Sequence, residues 1–355
     1  MEKTNKLQGF LKSAHEAIII SSEENRRFFT DFPSSNGYLV ITKAEAVFFT
    51  DSRYIEAAQK TIKNCKVMLL TKVSEEIKEY IKDKKIVKIY SEREHITVSV
   101  SDYLKTVFLP CKVTPSKKLE AEITRIRRMK TEEQKEKILT AQKIAEDAFT
   151  HILTFIKPGV TEKEIALELD FYMLSHGAEA LSFETIAVTG KKTSMPHGVP
   201  DDTVVESGDF ITMDFGAVYQ GYHSDMTRTV AVGSVSDEQK KIYETVLKAQ
   251  ESALAILKKG LSCADADFAA RSIIDEAGYG KYFGHSTGHG VGIEIHEAPT
   301  LAPKSKDILE VGNVVTIEPG IYIPDKFGVR IEDMAFITEK GYENLTSTPK
   351  ELIIL

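Results

Sequence analysis

Four carboxylates in two matched frames define the chemistry open to this chain. Gly208-Asp-Phe-Ile-Thr212-Met-Asp214-Phe-Gly216 and, about 100 residues further on, Gly312-Asn-Val-Val-Thr316-Ile-Glu318-Pro-Gly320 share one pattern, Gly-x-x-x-Thr-x-[Asp/Glu]-x-Gly. A second acid follows the acid of each frame by 11 and 14 residues, Asp225 in Ser224-Asp-Met-Thr-Arg and Glu332 in Arg330-Ile-Glu-Asp. His285-Ser-Thr-Gly-His289-Gly-Val-Gly lies between the two copies, followed by His296-Glu-Ala-Pro. Taken singly, an Asp-x-Gly or a Glu-Pro-Gly is ordinarily a turn. Repeated in register, with a second acid each and histidines between, they describe two half-sites of a two-metal centre.

Electrostatics favours that reading. Carboxylates gathered on inward-facing strand positions repel one another unless cations neutralise them. Two divalent ions balance four carboxylates and leave a neutral imidazole as a fifth ligand. A water held between two such ions loses its proton near neutral pH. Oxygen-rich ligands with one imidazole suit Mn²⁺, Co²⁺, Fe²⁺ or Zn²⁺, and the absence of thiolate argues against a structural zinc site.

The elements that must position these groups follow from length and patterning. With 355 residues, two domains are the natural expectation. The formal net charge of −7 speaks against a nucleic-acid partner. Three cysteines, Cys65, Cys111 and Cys263, stand far apart in no metal or redox spacing, which fits a reducing cytoplasm. Neither a long apolar run nor a signal-like segment appears, so the chain reads as soluble and cytoplasmic, without a membrane partner.

In the first 115 or so residues, Gly37 to Thr42 and Ala46 to Thr50 read as a hairpin across Lys43-Ala-Glu. A helix around Tyr54 to Thr61 and strands near Val67 to Leu70 and Ile86 to Ile89 complete an α/β domain that ends near residues 115–120. Next comes a charged helix from Ala121 to Met129. Thr131-Glu-Glu-Gln134 and Thr161-Glu-Lys-Glu164 are capping-box patterns, each opening a helix. The ligand-bearing stretches read as two ribbons, 209–219 with 222–232 and 314–322 with 328–338. Neighbouring antiparallel strands let carboxylates point to one face and share ions.

The motifs that carry the chemistry resemble the M24 metallopeptidases. The likeness rests on Met195-Pro-His-Gly, Met213-Asp-Phe-Gly, Ser224-Asp-Met-Thr-Arg-Thr, Thr287-Gly-His-Gly-Val-Gly, His296-Glu-Ala-Pro, Ile317-Glu-Pro-Gly-Ile-Tyr and Val329-Arg-Ile-Glu-Asp, and extends from about residue 125 to 355. Ser35-Asn-Gly-Tyr-Leu-Val-Ile and Phe48-Phe-Thr-Asp-Ser-Arg-Tyr resemble the creatinase/prolidase N-terminal domain. The implied architecture is an α/β N-terminal domain over residues 1–120, then an α+β pita-bread catalytic domain over 121–355. The implied activity is hydrolysis of the Xaa-Pro bond at the N-terminus of short proline-containing peptides, of aminopeptidase or dipeptidase type. Methionine-type specificity and a non-catalytic binding protein of the same fold are the alternatives. Two divalent ions are implied, manganese foremost.

By the same resemblance, Asp214 chelates one ion, Asp225 and Glu332 bridge both, and His289 and Glu318 complete the other. Glu318 also relays a proton, His296 donates to the scissile carbonyl, and His197 and His285 line the pocket and hydrogen-bond substrate. Thr227 and Arg330 orient the carboxylates. In relatives the N-terminal domain overhangs the cleft and mediates dimerisation, which implies a homodimer. Many proline-specific relatives carry Arg directly after His-Glu-x-Pro, where this chain has Thr300. His223 alternates to the strand face opposite Asp225, and His15, His95, His151 and His176 read as structural or exposed. Gly288-His-Gly-Val-Gly292 lacks the Lys of a phosphate loop, so a nucleotide is not expected.

Overall fold

Short runs of β-branched and aromatic residues in the first third of the chain pair into one mixed sheet. The computed structural model describes residues 2–355, which divide into one unit up to Arg127 and a second from Arg128 to Leu355. The first unit runs α1 (Glu2–Phe10), β1 (Glu16–Ile20), α2 (Glu23–Thr30), β2 (Tyr38–Thr42), β3 (Ala46–Thr50), α3 (Ile55–Thr61), β4 (Lys66–Leu69), α4 (Lys78–Asp83), β5 (Lys88–Ser91), α5 (Val98–Val107), β6 (Lys112–Pro115) and α6 (Lys117–Arg128). Its strands lie in the order β4-β3-β2-β1-β5-β6, antiparallel from β1 to β3 and parallel at both flanks. Ile19, Val40, Val47 and Phe49 from the sheet pack with Ile77, Ile81, Leu104 and Phe108.

The expected boundary at residue 120 falls inside α6. All of this helix but its last residue, Arg128, groups with the first unit, where its side chains are tied. The buried Glu120 carboxylate accepts the backbone N–H groups of Arg93 and Glu94, and Arg127 donates to Asn25 Oδ1 at 3.0 Å.

The second unit is built as two similar halves. The first half holds α7 (Glu132–Phe155), α8 (Glu162–Ser175), β7 (Ala180–Leu181), β8 (Ile186–Thr189), β9 (Phe210–Phe215), β10 (Ala217–Tyr219), β11 (Tyr222–His223) and β12 (Met226–Ala231). The second holds α9 (Asp237–Ile256), α10 (Cys263–Glu276), β13 (Gly288–Gly290), β14 (Glu297–Leu301), β15 (Val314–Ile317), β16 (Gly320–Ile323), β17 (Phe327–Arg330), β18 (Asp333–Ile337) and β19 (Tyr342–Asn344). In each half a helix pair covers the sheet. Ile138, Ala141, Ala145, Ala148, Phe149 and Ile152 form the buried face of α7, and Ile242, Val246, Ala249, Ala253 and Leu254 that of α9, both at the three- and four-residue spacing of an amphipathic helix. The repeat therefore reaches beyond the acids. Thr131/Gln134 and Ser236/Gln239 close reciprocal capping boxes at the starts of α7 and α9, each cap contributing roughly 1 kcal/mol.

The two expected ribbons are present but each is broken in the middle. β9 pairs with β12 as far as Phe215↔Met226, and pairing resumes in a different sheet with Val218↔His223. In the second half β15 pairs with β18 up to Ile317↔Asp333, and β16 with β17 from Gly320↔Arg330. Pro319, which has no N–H to donate, stands in the second break. Gly216 stands in the first, where a Cβ would lie 2.0 Å from the Ser224 carbonyl oxygen. Asp225, Glu318 and Glu332 all sit at these breaks, released from the regular alternation of a strand.

Gly216→Ala is expected to cost at least about 2 kcal/mol of stability in urea unfolding, because backbone must move to admit the methyl group. Gly284→Ala, where a Cβ meets nothing within 4 Å, is expected to stay within about 0.5 kcal/mol of the parent. Equal effects of the two would remove close approach as the reason for Gly216.

Candidate metal centre

The two breaks bring the half-sites to one cleft of about 690 Å³ in the second unit, lined by Asp214, Asp225, His289, Glu318 and Glu332 together with His197, His285, His296 and Thr300. Ligand atoms of Asp225, His289 and Glu332 lie within 4.8 Å of one another. His289 Nε2 is 3.5 Å from Asp225 Oδ2 and 3.4 Å from Glu318 Oε1. Its Nδ1 lies 3.1 Å from the Gly290 carbonyl oxygen, which fixes the proton there and leaves the Nε2 lone pair facing the acids. Burial, then the neighbouring His296, pushes the His289 pKa down to about 4, so the ring is a neutral ligand-type imidazole.

Two of the acids, Asp214 and Glu332, are each held by one oxygen and leave the other without a partner. Arg330 Nη2 donates to Asp214 Oδ2 at 2.6 Å, while Asp214 Oδ1 is buried with no hydrogen-bond partner. Thr227 donates its hydroxyl to Glu332 Oε2 at 2.7 Å, and Glu332 Oε1 is likewise buried without one. Arg330 Nε donates in turn to Thr227 Oγ1 at 3.0 Å, so Thr227 and Arg330 join the two half-sites in one chain of bonds. Thr316 donates its hydroxyl to Glu318 Oε1 at 3.2 Å and accepts the His289 N–H at 3.1 Å, coupling the repeat threonine to two of the candidate ligands. Its counterpart Thr212 instead bonds Thr229.

The charges show what the cleft lacks. Burial, then the negative charges of Asp214 and Glu318, raises the Asp225 pKa well above the carboxylate range. Burial, then Asp225, Glu318 and Asp214, does the same to Glu332. Glu318 is pushed up to about 8 by burial, with Arg330 opposing and Asp214 adding to the shift. Four acids share one guanidinium, two buried carboxylate oxygens are orphaned, and an imidazole lone pair points at carboxylates. That donor set fits two divalent cations and fits poorly with anything else.

Sequence reading overlooked three groups. Tyr322 accepts from Arg330 Nη1 at 3.0 Å and donates to His285 Nε2 at 2.9 Å. Gly320 makes the room, since a Cβ there would lie 2.4 Å from the Tyr322 hydroxyl. His285 Nδ1 is 2.8 Å from the Ser286 carbonyl oxygen, so both ring nitrogens are engaged within the protein. Burial, then Arg330, lowers its pKa to about 4. The expected direct bond from His285 to substrate therefore has no free nitrogen in this arrangement. Arg228, fully buried, donates to the Glu332 carbonyl oxygen and to Asp333 Oδ1 at 2.6 and 2.8 Å, anchoring the backbone behind a ligand. Arg228, Tyr322 and Thr316 all lie inside the quoted motifs, and the signal that would have found them was the alternation along β12, β15 and β16.

Comparison with known proteins agrees with this geometry. The model of metallopeptidase family M24 matches residues 136–339, and that of the creatinase/prolidase N-terminal domain matches residues 4–129. The chain belongs to the M24 metallopeptidase family. It is 43% identical to the solved Xaa-Pro dipeptidase from Bacillus anthracis, with a TM-score of 0.95 over 100% of this chain and 99% of that one. An X-Pro aminopeptidase from Thermotoga maritima is 36% identical, with a TM-score of 0.93 over 99% of this chain and 100% of the other. The Xaa-Pro dipeptidase of Pyrococcus horikoshii is 37% identical, with 99% of each chain covered.

The raised carboxyls make the metal-free protein sensitive to pH. A group whose pKa rises on folding stabilises the fold at low pH and loses that contribution as pH climbs through the folded value. His285 and His289, with lowered pKa values, act in the opposite sense, but their contribution is complete above about pH 6.5. The melting temperature of the metal-free protein should therefore fall between about pH 6.5 and 8, and a divalent cation should raise it more at pH 8 than at pH 6.5. A flat profile, unmoved by Mn²⁺, Co²⁺ or Zn²⁺, would contradict the assignment of these acids as ligands.

Proposed function

We propose that this protein is a dinuclear-metal peptidase that hydrolyses the Xaa-Pro bond at the N-terminus of short peptides. The single observation that carries the metal chemistry is the convergence of Asp225, His289 and Glu332 within 4.8 Å, beside Asp214 and Glu318 in one cleft. The proline specificity follows from the named relatives, which align over nearly the whole chain. Asp214, Asp225, His289, Glu318 and Glu332 would hold the ions. Such ions, when bound, supply Lewis-acid polarisation of the scissile carbonyl and acidify water to near neutral pKa.

The protein's own residues supply the remaining work. Glu318, whose proton affinity is raised by burial beside other acids, takes the proton from the attacking water and returns it to the leaving proline nitrogen. His296 is exposed at the cleft, its ring centroid 4.3 Å from that of His289, and donates to the carbonyl oxygen as charge develops there. His197, also exposed on the cleft lining, bonds the peptide. Arg330 and Thr227 hold Asp214 and Glu332 in place. Manganese, a cytoplasmic location and a homodimer complete the reading. Among the described residues no helix is long and apolar enough to cross a membrane.

Substrate length is the open choice within this activity. Of the residues that line the cleft, Arg330 is the one cation, and it is engaged by Asp214, Thr227, Tyr322 and the Pro196 carbonyl. Thr300 stands on the lining where many relatives carry Arg. Activity on Xaa-Pro-Yaa tripeptides without activity on Xaa-Pro dipeptides would make this an aminopeptidase, and the converse a dipeptidase.

The test is a panel of Xaa-Pro dipeptides, Xaa-Pro-Yaa tripeptides and Met-Ala peptides with Mn²⁺, Co²⁺ or Zn²⁺. Cleavage before proline alone is expected, and preference for Met-Ala would overturn the specificity. Glu318→Gln should lower kcat by several orders of magnitude. His296→Ala should keep its metal and lose roughly 10²–10³-fold in kcat. Near-normal turnover of His296→Ala at full metal content would remove it from the mechanism.

A further inference from the structure

Two buried charges next to the cleft take no part in the chemistry described so far. Lys130, in the short link between α6 and α7, and Glu297, the first residue of β14, form an ion pair of 2.5 Å from Nζ to Oε1. Their side chains are 1% and 7% exposed, and neither residue lines the cleft. A buried ion pair contributes little net stability, since desolvation offsets most of the attraction, and well-packed apolar residues often serve as well. Its presence beside an active site calls for a positional reason.

The surroundings supply one. Glu297 directly follows His296 and lies opposite Gly290, the residue after His289, where the β13–β14 register shifts. Its carboxylate rests against the backbone of Gly292, where a Cβ would come within 2.5 Å of Oε1. One carboxylate thus touches the turn that leaves His289 and adjoins the residue that carries His296, and those two rings meet at 4.3 Å. Lys130 is itself fixed. Its N–H donates to the Gly312 carbonyl at 2.7 Å, and Asn313 Nδ2 donates to the Arg128 carbonyl at 3.0 Å, strapping the link to the frame that contains Glu318.

We infer that Lys130 and Glu297 are positioning residues: a buried latch that ties the turn running from the end of β13, which carries His289, to His296 onto the Gly312–Gly320 frame, so that the His289 and His296 rings keep a fixed separation. This rests on the roles given above to the two histidines. Polar groups behind a metal ligand commonly change affinity or activity by 10–100-fold when removed, which sets the scale expected.

The test compares Lys130→Met, Glu297→Gln, the double variant Lys130→Met/Glu297→Met, and Lys130→Arg. Each is read by melting temperature, Co²⁺ affinity and Co²⁺ visible absorption, and by kcat and KM separately. The double variant should melt close to the parent, yet show an altered Co²⁺ spectrum and a kcat roughly 10–100-fold lower at little-changed KM. Lys130→Arg, which keeps the charge, should recover most of the activity that Lys130→Met loses. A folded double variant with parental kcat and Co²⁺ spectrum would overturn the latch, leaving a purely structural pair. Should the double variant fail to fold, Lys130→Arg and Glu297→Gln decide: no recovery in the first, or parental kcat in the second, overturns it. Were the parent inactive on every Xaa-Pro peptide, the activity would fall, while the Co²⁺ spectra would still judge the latch.

Discussion

Repulsion among four carboxylates crowded into one cleft, two of them buried and two half-buried, is the constraint that the rest of the catalytic unit serves. Asp214, Asp225, Glu318 and Glu332 share one cleft with a single guanidinium, and burial together with mutual charge drives Asp225, Glu318 and Glu332 towards their protonated forms. Such a cluster is stable in its charged form only around cations. Neighbouring side chains hold one oxygen of three of the acids, Arg330 on Asp214, Thr227 on Glu332 and Thr316 on Glu318, and leave the second oxygen of Asp214 and of Glu332 without a partner. The neutral imidazole of His289 completes the set without adding to the repulsion.

The fold meets this constraint with broken ribbons. A continuous strand alternates its side chains between faces and spaces same-face neighbours about 7 Å apart, too wide for acids that share an ion. Interrupting the ladders at Gly216 and at Pro319 frees Asp225, Glu318 and Glu332 from that alternation. The interruptions are affordable because paired helices cover each sheet half, and the unpaired backbone is picked up locally. Ser182, for example, donates to the carbonyls of both Ala217 and Ser224. Rigidity comes from deeper bonds, above all the buried Arg228, which grips the Glu332 backbone and Asp333.

Much of this was legible in the chain. The duplicated frames, their second acids and the histidines between them named the residues that the fold gathers in one cleft, because metal chemistry demands particular side chains at positions a repeat makes conspicuous. The capping boxes at Thr131 and Thr161 began α7 and α8 as read. The hairpin of β2 and β3 also formed with the expected turn. Local sequence signals of that kind depend only on neighbours a few residues away.

Other features depended on residues far apart. Assignment of α6 to the first unit rests on Glu120 meeting Arg93 and Glu94, and no local pattern at residue 120 announces it. Tyr322 gained its place between Arg330 and His285 because β16 and β17 pair with Gly320 opposite Arg330, and that engagement occupies the histidine expected to meet substrate. Lys130 and Glu297 are 167 positions apart and meet only in the folded chain. Sequence by itself determined which chemistry is possible, since that is a matter of residue type and short spacing. Which nitrogen is free, which acid is orphaned and which charge lies behind which ligand were decided by packing, because those depend on distances that only the folded chain brings within a few ångströms.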